Sequence, residues 1–321
     1  MKVFSPAKIN LALNVGAKMR DGYHRVDSVF HTLAFGDVVA VEPSEKLNLT
    51  CSVNLGIAPE NNLAYKAAVL FARETGTSSN YSIHIDKRLP HGAGLGGGSS
   101  NAAAVIYALA VADGINPVGT LCMRIAASLG SDVPVFLAPT GASVMTERGE
   151  VLEESLPPAT GVPVVLAMPR NLTVSTARVY KAFDESPLPI RSMELLIGIL
   201  HDFVEVDAQR DLLMTSHAGM ARLLAGEVYN NLAAASVAVE PSIGDALLFL
   251  KTQRESLCAE VSGSGSCVFA LCATPEQAEA LQKKCVEYGF FSVATSLRSQ
   301  GVTKINEVST IGGKPGVKLP Q

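Results

Sequence analysis

Five glycines in seven positions, between Gly92 and Gly98, form the segment of this sequence best suited to binding a ligand. The tract stands directly before residues 101–112, which are apolar on nearly every side and predict a buried helix. Glycine removes side chains, so backbone N–H groups can face an anion, and the positive end of a helix adds to the attraction. The tract therefore predicts a phosphate-binding loop. Its candidate contact residues are Pro90, Gly92, Gly94, Leu95, Gly96, Gly97, Gly98, Ser99 and Ser100.

Two other nucleotide-binding loops and a plain turn compete with this interpretation. Gly92, Gly94 and Gly97 match the dinucleotide pattern G-x-G-x-x-G, with Asp113 about twenty residues beyond the first glycine. That pattern requires a buried parallel strand that runs straight into the loop, whereas residues 86–90 intervene here and the preceding strand alternates. A Walker loop is excluded because no Lys-Ser or Lys-Thr pair follows the glycines. A flexible glycine turn followed by a serine cap remains an alternative interpretation of the tract.

A lysine and an aspartate outside the tract are candidates for catalysis. Lys8 lies on the polar side of an alternating segment, and Asp132 comes shortly after Gly130, which ends a predicted helix. Aspartate is common in turns, and a solvated lysine is ordinary on a half-exposed strand. The residues alone therefore leave both the catalytic and the ordinary interpretation open.

Three segments together resemble the GHMP kinases, the family of galactokinase, homoserine kinase and mevalonate kinase. Residues 90–100 read P-x-x-x-G-L-G-G-G-S-S and resemble the ATP-phosphate loop of that family. Residues 5–11, Ser-Pro-Ala-Lys-Ile-Asn-Leu, are similar to its N-terminal motif. Residues 262–269, Ser-Gly-Ser-Gly-Ser-Cys-Val-Phe, are similar to its C-terminal glycine motif. The three segments follow the family's order and span most of the chain.

Further segments resemble one branch of that family, which phosphorylates cytidyl-diphospho-methylerythritol in the non-mevalonate route to isoprenoids. They are residues 21–24 (Asp-Gly-Tyr-His), 87–90 (Lys-Arg-Leu-Pro) and 130–136 (Gly-Ser-Asp-Val-Pro-Val-Phe). The resemblance implies ATP as the phosphoryl donor, Mg²⁺ as counter-ion and the C2 hydroxyl of that small molecule as acceptor. It also implies an α+β fold of two lobes, with a ribosomal-protein-like N-terminal domain and a ferredoxin-like C-terminal domain. The active site is then expected in the cleft between the lobes.

The resemblance assigns roles to individual residues. Asp132 is expected to act as general base, with Lys8 beside it to keep the carboxylate ionised and to hydrogen-bond the acceptor oxygen. Asn10 is expected to bind the erythritol hydroxyls from the same strand face as Lys8. Ser99 or Ser100 is expected to reach magnesium or a phosphate oxygen, although either serine would also serve as a helix cap.

The cytidine site implied by the resemblance uses aromatic residues. His24 is implied at the edge of the base, with Tyr23 and Tyr180 stacking on its two faces, in a chain that has no tryptophan. Two glycines of the C-terminal motif would let the backbone approach the substrate phosphates, or would simply form a turn that enters a strand. The residues implied at the substrate phosphates are Thr176, Gly263 and Gly265.

Alternating strands and apolar helices must position these residues in the first half of the chain. The patterns predict strands within the first forty residues and over 47–53 and 81–86, a hairpin over 142–153, and helices over 62–75, 101–112 and 118–129. Ser99, Ser100 or Asn101 is the expected cap of the middle helix.

The second half is predicted to contain strands over 162–168, 267–272 and 290–297, and helices over 176–183, 193–204 and 243–257. Thr274, Pro275 and Gln277 form a capping box that opens a further helix, which is expected to end near Gly289. Paired prolines at positions 157 and 158 predict domains over 1–157 and 158–303, and residues 304–321 are expected to form a loose tail. Residues 186–231 resemble the family least.

Composition limits the remaining possibilities. The chain has 321 residues, 48% hydrophobic and 17% charged, which predicts a compact protein with a large core. Its net charge of −4 argues against nucleic acid or an anionic membrane as the main partner. The longest apolar stretch, residues 102–112, is too short to span a membrane, and the first residues do not resemble an export signal. The six cysteines lack zinc-site spacing, so we expect reduced thiols in the cytoplasm.

Three alternative functions stay open on the sequence. A GHMP kinase for another alcohol, such as homoserine or mevalonate, would share the three main motifs, but Tyr23-His24 and Lys87-Arg88 argue against it. A non-catalytic nucleotide-binding regulator would tolerate loss of Lys8 or Asp132, and both are present. A dehydrogenase would be stabilised against heat by NAD rather than by ATP.

Overall fold

The structure is a computed structural model that describes residues 1–170, 172–205 and 216–306. The strands of its first half are β1 (Lys2–Lys18), β2 (His24–Pro43), β3 (Asn48–Cys51), β4 (Tyr81–Asp86), β5 (Ala142–Thr146) and β6 (Val151–Leu156). The helices of the first half are α1 (Leu63–Thr75), α2 (Gly97–Ala112), α3 (Thr120–Leu129) and α4 (Val133–Leu137), with a short 3-10 helix (Pro59–Asn61) before α1.

The second half of the described chain is richer in helices. Its strands are β7 (Pro163–Met168), β8 (Tyr229–Asn230), β9 (Cys258–Val261), β10 (Val268–Leu271), β11 (Phe291–Ser296) and β12 (Thr303–Lys304). Its helices are α5 (Thr176–Glu185), α6 (Glu194–Glu205), α7 (His217–Glu227), α8 (Ala233–Val239), α9 (Pro241–Thr252) and α10 (Pro275–Tyr288).

The first sheet is built around the long antiparallel pair of β1 and β2. Its strand order is β12-β1-β2-β4-β3, with β5 paired to β2, β6 paired to β5 and β8 paired in parallel to β1. Helices α1, α2 and α3 pack on one side, where Val39 and Ile83 of the sheet meet Phe71 and Ile106 of the helices. The sheet formed by β1, β2 and β4 thus supports α2, the buried helix whose first residues belong to the glycine tract.

The second sheet has four antiparallel strands in the order β11-β7-β10-β9. Counted along the chain, these are its fourth, first, third and second strands, which is the ferredoxin-like arrangement. The helices α9 and α10 pack on this sheet through Ile243, Leu250, Leu281 and Cys285. The expected α+β fold of two lobes is confirmed.

Strand β1 is buried on both of its faces, although its alternation predicts one polar face. Ile9 and Leu11 pack against Leu166 and Phe269 of the second sheet, in a core that the two lobes share. The opposite face is covered as well, so that Lys8 is only 3% exposed. Of the two interpretations left open for Lys8, the solvated lysine is therefore excluded, because tertiary packing covers the side chain.

The amino end of α2 differs from the expected one. The helix begins at Gly97, its N-cap is Gly96 with a φ of 70°, and no side chain of the described residues caps it. Ser99, Ser100 and Asn101 lie within the helix, so the prediction that one of them is the cap is wrong. Gly97 and Gly98 therefore belong to the first turn of the helix.

Two predicted element boundaries also need correction. The helix expected over 243–257 runs from Pro241 to Thr252, because Glu240 caps its start and residues 253–257 lead into β9. Lys304 does not belong to a loose tail, since it pairs with Val3 across β12 and β1. Ile305 of that expected tail is also fixed, since its N–H donates to the Lys2 carbonyl at 2.9 Å, and residues 307–321 lie outside the described residues. Helices α7 and α8 were not predicted.

Local signals located several helix ends correctly. In α1 the Asn62 side chain accepts a hydrogen bond from the Ala64 N–H, and Gly76 ends the helix with a φ of 71°. In α10 the Thr274 hydroxyl accepts from the Gln277 N–H, with Pro275 at the first helical position. Gly289 then ends α10 with a φ of 104°. These predictions hold because caps depend on neighbours within one helical turn.

The predicted domain division between residues 157 and 158 stays a prediction. Short strands from the second half, β8 and β12, pair with β1 and extend the first sheet. Among the helices that the structure describes, none has both the length and the apolar character that crossing a membrane demands.

Candidate active site

The glycine loop is fixed by contacts that only glycine permits. Gly92, Gly94 and Gly96 have φ values of 66°, 75° and 70°, in the left-handed region. A Cβ on Gly94 would overlap the carbonyl oxygen of Ser262, because the loop packs directly on the C-terminal glycine motif. The Ser262 hydroxyl donates to the Gly94 carbonyl oxygen at 3.1 Å, which joins the two motifs. The expected phosphate loop is therefore part of the contact between the two lobes.

The helix start behind this loop is suited to an anion. Because no described side chain caps α2, the N–H groups of its first turn are available to a ligand. Gly96 permits close packing here, since a Cβ would lie 2.7 Å from Cζ of Phe136 and 3.1 Å from Cγ of Lys8. The loop thus brings the positive end of α2 next to the side chain of Lys8.

Two cavities of about 320 Å³ each lie on either side of the loop. The first, which we call the apolar cavity, is lined by Leu55, Ile57 and Leu63, by the loop from Pro90 to Ser99, and by the polar residues Asn61, Asn62, Lys87 and Asn101. The second, the polar cavity, is lined by residues from both lobes. The polar side chains and glycines that line it include Lys8, Asn10, Ser131, Asp132, Arg148, Thr176, Tyr180, Gly263 and Ser264. Gly94, Gly96 and Ser99 line both cavities, so the loop forms their common wall.

Lys8 and Asp132 meet in the polar cavity. The Lys8 ammonium Nζ lies 3.6 Å from Oδ2 of Asp132, whose side chain is 34% exposed. Asp132 stands at the N-cap of α4 but makes no capping hydrogen bond, which leaves its carboxylate free to face the cavity. The turn after Gly130 places it there, with the Val133 N–H donating to the Gly130 carbonyl at 3.1 Å. A cation and a carboxylate are therefore held side by side in a cavity of mixed polarity.

Asn10 is oriented by a chain of hydrogen bonds. Its Oδ1 accepts from Lys8 Nζ at 2.9 Å, and its Nδ2 donates to Oγ of Ser28 at 2.8 Å. The Ser28 hydroxyl in turn donates to the Ala12 carbonyl at 2.6 Å. The network fixes both the Asn10 amide and the Lys8 ammonium, so neither must be ordered when a ligand binds.

The C-terminal glycine motif contributes unequally to this cavity. Gly263 lies against Lys8 and Asn10, since a Cβ there would be 3.4 Å from Lys8 Nζ and 3.7 Å from Oδ1 of Asn10. Thr176 and Ser264 also line the cavity, and their hydroxyl oxygens are 3.0 Å apart. Gly265 instead faces Ile243 and Val261 and is absent from the cavity lining. Among the residues implied at the substrate phosphates, the structure brings Thr176 and Gly263 to the cavity but not Gly265.

The three predicted cytidine residues are only partly assembled. Tyr180 lines the polar cavity, and burial, together with the nearby charge of Asp132, raises the pKa of its phenol to about 12. The phenol therefore stays protonated and can donate a hydrogen bond. The His24 ring lies 5.1 Å from the Tyr180 ring, and its Nε2 is 2.6 Å from Oδ1 of Asp184. Tyr23 is 60% exposed and lies outside the cavity lining, so the expected sandwich is not present here.

The two candidate serines have different surroundings. Ser100 is fully buried, and its Oγ lies 2.8 Å from the hydroxyl of Ser5. Ser99 lines both cavities. Only Ser99 is therefore placed to meet a phosphate or a metal ion.

Oxygen ligands suitable for Mg²⁺ are present beside the loop. The described residues contain no cluster of three or more acidic, histidine or cysteine side chains that could hold a metal by themselves. Magnesium in nucleotide sites takes one or two protein oxygens and completes its shell with phosphates and water. The Ser99 hydroxyl, which lines both cavities beside the loop, fits that requirement.

Sequence reasoning missed three charged residues close to the site. Asp37 is fully buried and accepts from Lys87 Nζ at 2.6 Å, which places that ammonium under the start of α2. Asp184 pairs with His24, and this hydrogen bond is the main cause that lowers the pKa of the Asp184 carboxyl. Arg148 lines the polar cavity from the turn between β5 and β6. Their spacing in the sequence gives no signal, because their partners are distant along the chain.

Comparison with known proteins gives concordant results over both halves of the chain. The family model for the GHMP kinases N terminal domain matches residues 62–139, and the model for the GHMP kinases C terminal region matches residues 219–289. A 4-diphosphocytidyl-2-C-methyl-D-erythritol kinase from Paramagnetospirillum magneticum is 35% identical over 280 residues, which cover 86% of this chain and 90% of that protein.

Two further similarities involve proteins of the same activity. The chloroplastic/chromoplastic 4-diphosphocytidyl-2-C-methyl-D-erythritol kinase of Solanum lycopersicum is 39% identical over 189 residues, and the match spans only about half of that protein, 46%. A crystal structure of 4-(cytidine 5'-diphospho)-2C-methyl-D-erythritol kinase superposes with a TM-score of 0.72 at 30% identity, covering 93% of this chain and 99% of that one.

Proposed function

Because this chain belongs to the GHMP kinase family, we propose that it transfers the γ-phosphoryl group of ATP to the C2 hydroxyl of 4-diphosphocytidyl-2-C-methyl-D-erythritol. The reaction is a step of the methylerythritol phosphate route to isoprenoids. The observation that carries the proposal is the pairing of Lys8 with Asp132 in the polar cavity, which shares the glycine loop as a common wall with the apolar cavity. The proteins that resemble this chain along most of its length support the choice of substrate.

The apolar cavity is suited to the adenosine part of ATP. Leu55, Ile57 and Leu63 offer apolar surface to a flat base, and the loop leads from there to the uncapped start of α2. The phosphate chain would follow the loop to Gly94, Gly96 and Ser99, which also line the polar cavity. The terminal phosphate would thus reach the wall that separates donor from acceptor.

Mg²⁺ would be held by Ser99 together with phosphate oxygens and water. When bound, it neutralises charge on the transferring phosphoryl group. Lys8 contributes to the same neutralisation from the protein, because its ammonium is already ordered by Asn10 and lies beside Asp132.

Asp132 would accept the proton of the C2 hydroxyl. Phosphoryl transfer passes through a loose transition state, so the hydroxyl need not lose its proton early and a weak carboxylate base suffices. Lys8 would donate a hydrogen bond to the acceptor oxygen and fix its direction of attack. Asn10 would bind the erythritol hydroxyls through the amide that Ser28 orients.

The cytidyl-diphosphate end of the substrate would lie toward α5. Tyr180 would stack on the base, with His24 at its edge and Tyr23 on the other face after a rearrangement of the exposed ring. Thr176 and Gly263 would contact the phosphates, with Ser264 hydrogen-bonded to Thr176. The role of Gly265 is limited to shaping the turn. A cytoplasmic location and the absence of a nucleic-acid partner stay predictions.

A coupled ADP-release assay with a panel of alcohols tests this function. We expect ADP release with 4-diphosphocytidyl-2-C-methyl-D-erythritol, and none above background with homoserine or mevalonate. ADP release with homoserine or mevalonate alone would contradict the substrate and keep the kinase class. No ADP release with any alcohol, together with binding of ATP, would favour a regulator, and stabilisation by NAD but not ATP would favour a dehydrogenase.

A further inference from the structure

Arg148 lines the polar cavity but its side chain is held at the rim. Its guanidinium pairs with Asp21 and lies 4.7 Å from the centre of the Tyr23 ring. Neither Asp21 nor Tyr23 lines the cavity, so both contacts hold the charge outside it. The Arg148 side chain is 45% exposed in this position.

The charges that line the polar cavity favour a role for the Arg148 guanidinium in binding an anionic substrate. The charged residues in its described lining are Lys8, Asp132 and Arg148. Lys8 is already committed to Asp132 and Asn10. A diphosphate brings at least two negative charges, and a planar guanidinium can bind such a group through two parallel hydrogen bonds. Arg148 is therefore the lining cation in the described chain whose present carboxylate partner lies outside the cavity.

We propose that Arg148 is a substrate-binding residue that takes the diphosphate of the cytidyl substrate and that its place on Tyr23 is a resting position. The inference rests on the proposed function, because the diphosphate belongs to that substrate. It assigns Arg148 to the acceptor substrate and not to ATP, since Arg148 lines the polar cavity and is absent from the lining of the apolar one.

The exchange requires only a side-chain movement. The turn that carries Arg148 is fixed by its backbone, with the Val26 N–H donating to the Glu147 carbonyl at 2.7 Å and the Gly149 N–H to the Thr146 carbonyl at 2.9 Å. The contacts that must break are an exposed ion pair and an exposed cation–π contact, which stabilise little. Charge-assisted hydrogen bonds to a partly desolvated diphosphate are stronger.

The same movement of the Arg148 side chain would make the Tyr23 ring available for stacking. In the resting position the guanidinium occupies one face of the Tyr23 ring, which is the group proposed to stack on cytosine. When Arg148 moves to the diphosphate, that face becomes free for the base. One side chain would thus couple recognition of the diphosphate to recognition of the base.

Steady-state kinetics of Arg148→Gln and Arg148→Lys test the assignment. We expect Arg148→Gln to raise KM for the cytidyl substrate by about 30-fold, with KM for ATP and kcat within about twofold of wild type. Arg148→Lys keeps the positive charge but loses the planar pair of hydrogen-bond donors. Its KM for the cytidyl substrate should therefore lie between those of the wild type and Arg148→Gln. Arg25→Gln is the matched control, because Arg25 is also an exposed arginine paired with a nearby aspartate, Asp27, and lies outside both cavities.

Equilibrium binding of cytidine, CMP and CDP measures how much the phosphate groups contribute to affinity, without turnover. In the wild type, affinity should rise along this series, and in Arg148→Gln the gain from cytidine to CDP should fall about tenfold. An unchanged gain, or an equal rise of both KM values, would overturn the inference. A wild-type protein that neither binds CDP nor releases ADP with the cytidyl substrate would contradict the proposed function itself. Normal wild-type turnover with an unaffected Arg148→Gln variant would contradict only the role of Arg148.

Discussion

Lys8 of β1 and Asp132 before α4 lie 3.6 Å apart in the wall of one cavity, although they come from distant parts of the chain. Gly96 permits this close packing, because a Cβ there would lie 2.7 Å from Cζ of Phe136 and 3.1 Å from Cγ of Lys8. The glycine loop, proposed to bind phosphate, therefore also leaves room for the lysine side chain beside it.

Asp132→Asn removes the proposed proton acceptor while keeping the shape of the side chain. We expect kcat to fall by about 10² or more with only a modest change in KM, because the amide cannot take up the proton. The measurement is steady-state ADP release with the cytidyl substrate. Asp113→Asn is the control, since Asp113 is exposed at the end of α2 and lines neither cavity. Near-normal turnover of Asp132→Asn would remove Asp132 from the mechanism.

Gly94→Ala should destabilise the protein much more than Gly76→Ala. Both glycines have a left-handed φ, 75° and 71°, so each substitution carries a similar backbone strain of about 1–2 kcal/mol. A Cβ at Gly94 also collides with the Ser262 backbone, whereas a Cβ at Gly76 meets open space. The collision should add roughly 1–3 kcal/mol, measured as the difference in free energy of unfolding by urea. Equal losses would show that the loop is not packed on the C-terminal motif.

His31 should make the stability depend on pH. The Ala159 N–H donates to its Nε2 at 3.1 Å and its Nδ1 lies 3.0 Å from the Thr32 carbonyl, so the folded state holds a neutral ring. Burial lowers the His31 pKa from 6.5 to about 4. Between these values the unfolded chain binds a proton that the folded chain does not, so this stability is complete above about pH 6.5 and is lost as pH falls.

The experiment compares wild type with His31→Gln, whose side chain does not titrate. Between pH 7.5 and pH 5 the wild type should lose about 2 kcal/mol more free energy of unfolding than the variant. Chemical denaturation at the two pH values measures this difference. Parallel losses in the two proteins would mean that His31 is not buried as a neutral ring.

Asp37→Asn should destabilise the fold strongly. Lys87 is buried beside it, so losing the carboxylate leaves an unpaired ammonium with a cost of about 3–5 kcal/mol. The control is Asp86→Asn, which breaks the exposed pair with Arg88 in the same segment and should cost about 0–1 kcal/mol. Urea unfolding of both variants gives the comparison. Similar small losses would argue that water reaches Lys87 in the folded protein.

Local features were predictable because the groups involved are close in sequence. The capping box at Thr274 and the terminating Gly289 depend on one helical turn, and the structure shows both. The glycine tract was placed correctly before a buried helix, since the dense glycines and the apolar residues that follow are neighbours. The predicted position of the cap was wrong, because the helix already begins at Gly97 and Gly96, which packs closely on Phe136 and Lys8, stands at its N-cap.

The sequence by itself predicted a phosphate loop next to a buried helix, and its resemblance to the GHMP kinases implied a two-lobed fold, which is confirmed, and a pair of candidate catalytic residues. The tertiary structure decided which serine lines the cavity, since the buried Ser100 hydroxyl accepts a hydrogen bond from Ser5 whereas Ser99 faces the cavity. It also decided that Lys8 is buried, that Gly265 lies away from the cavity and that Arg148 belongs to it. These outcomes depend on strand register and on packing between lobes, which are set by residues far apart along the chain.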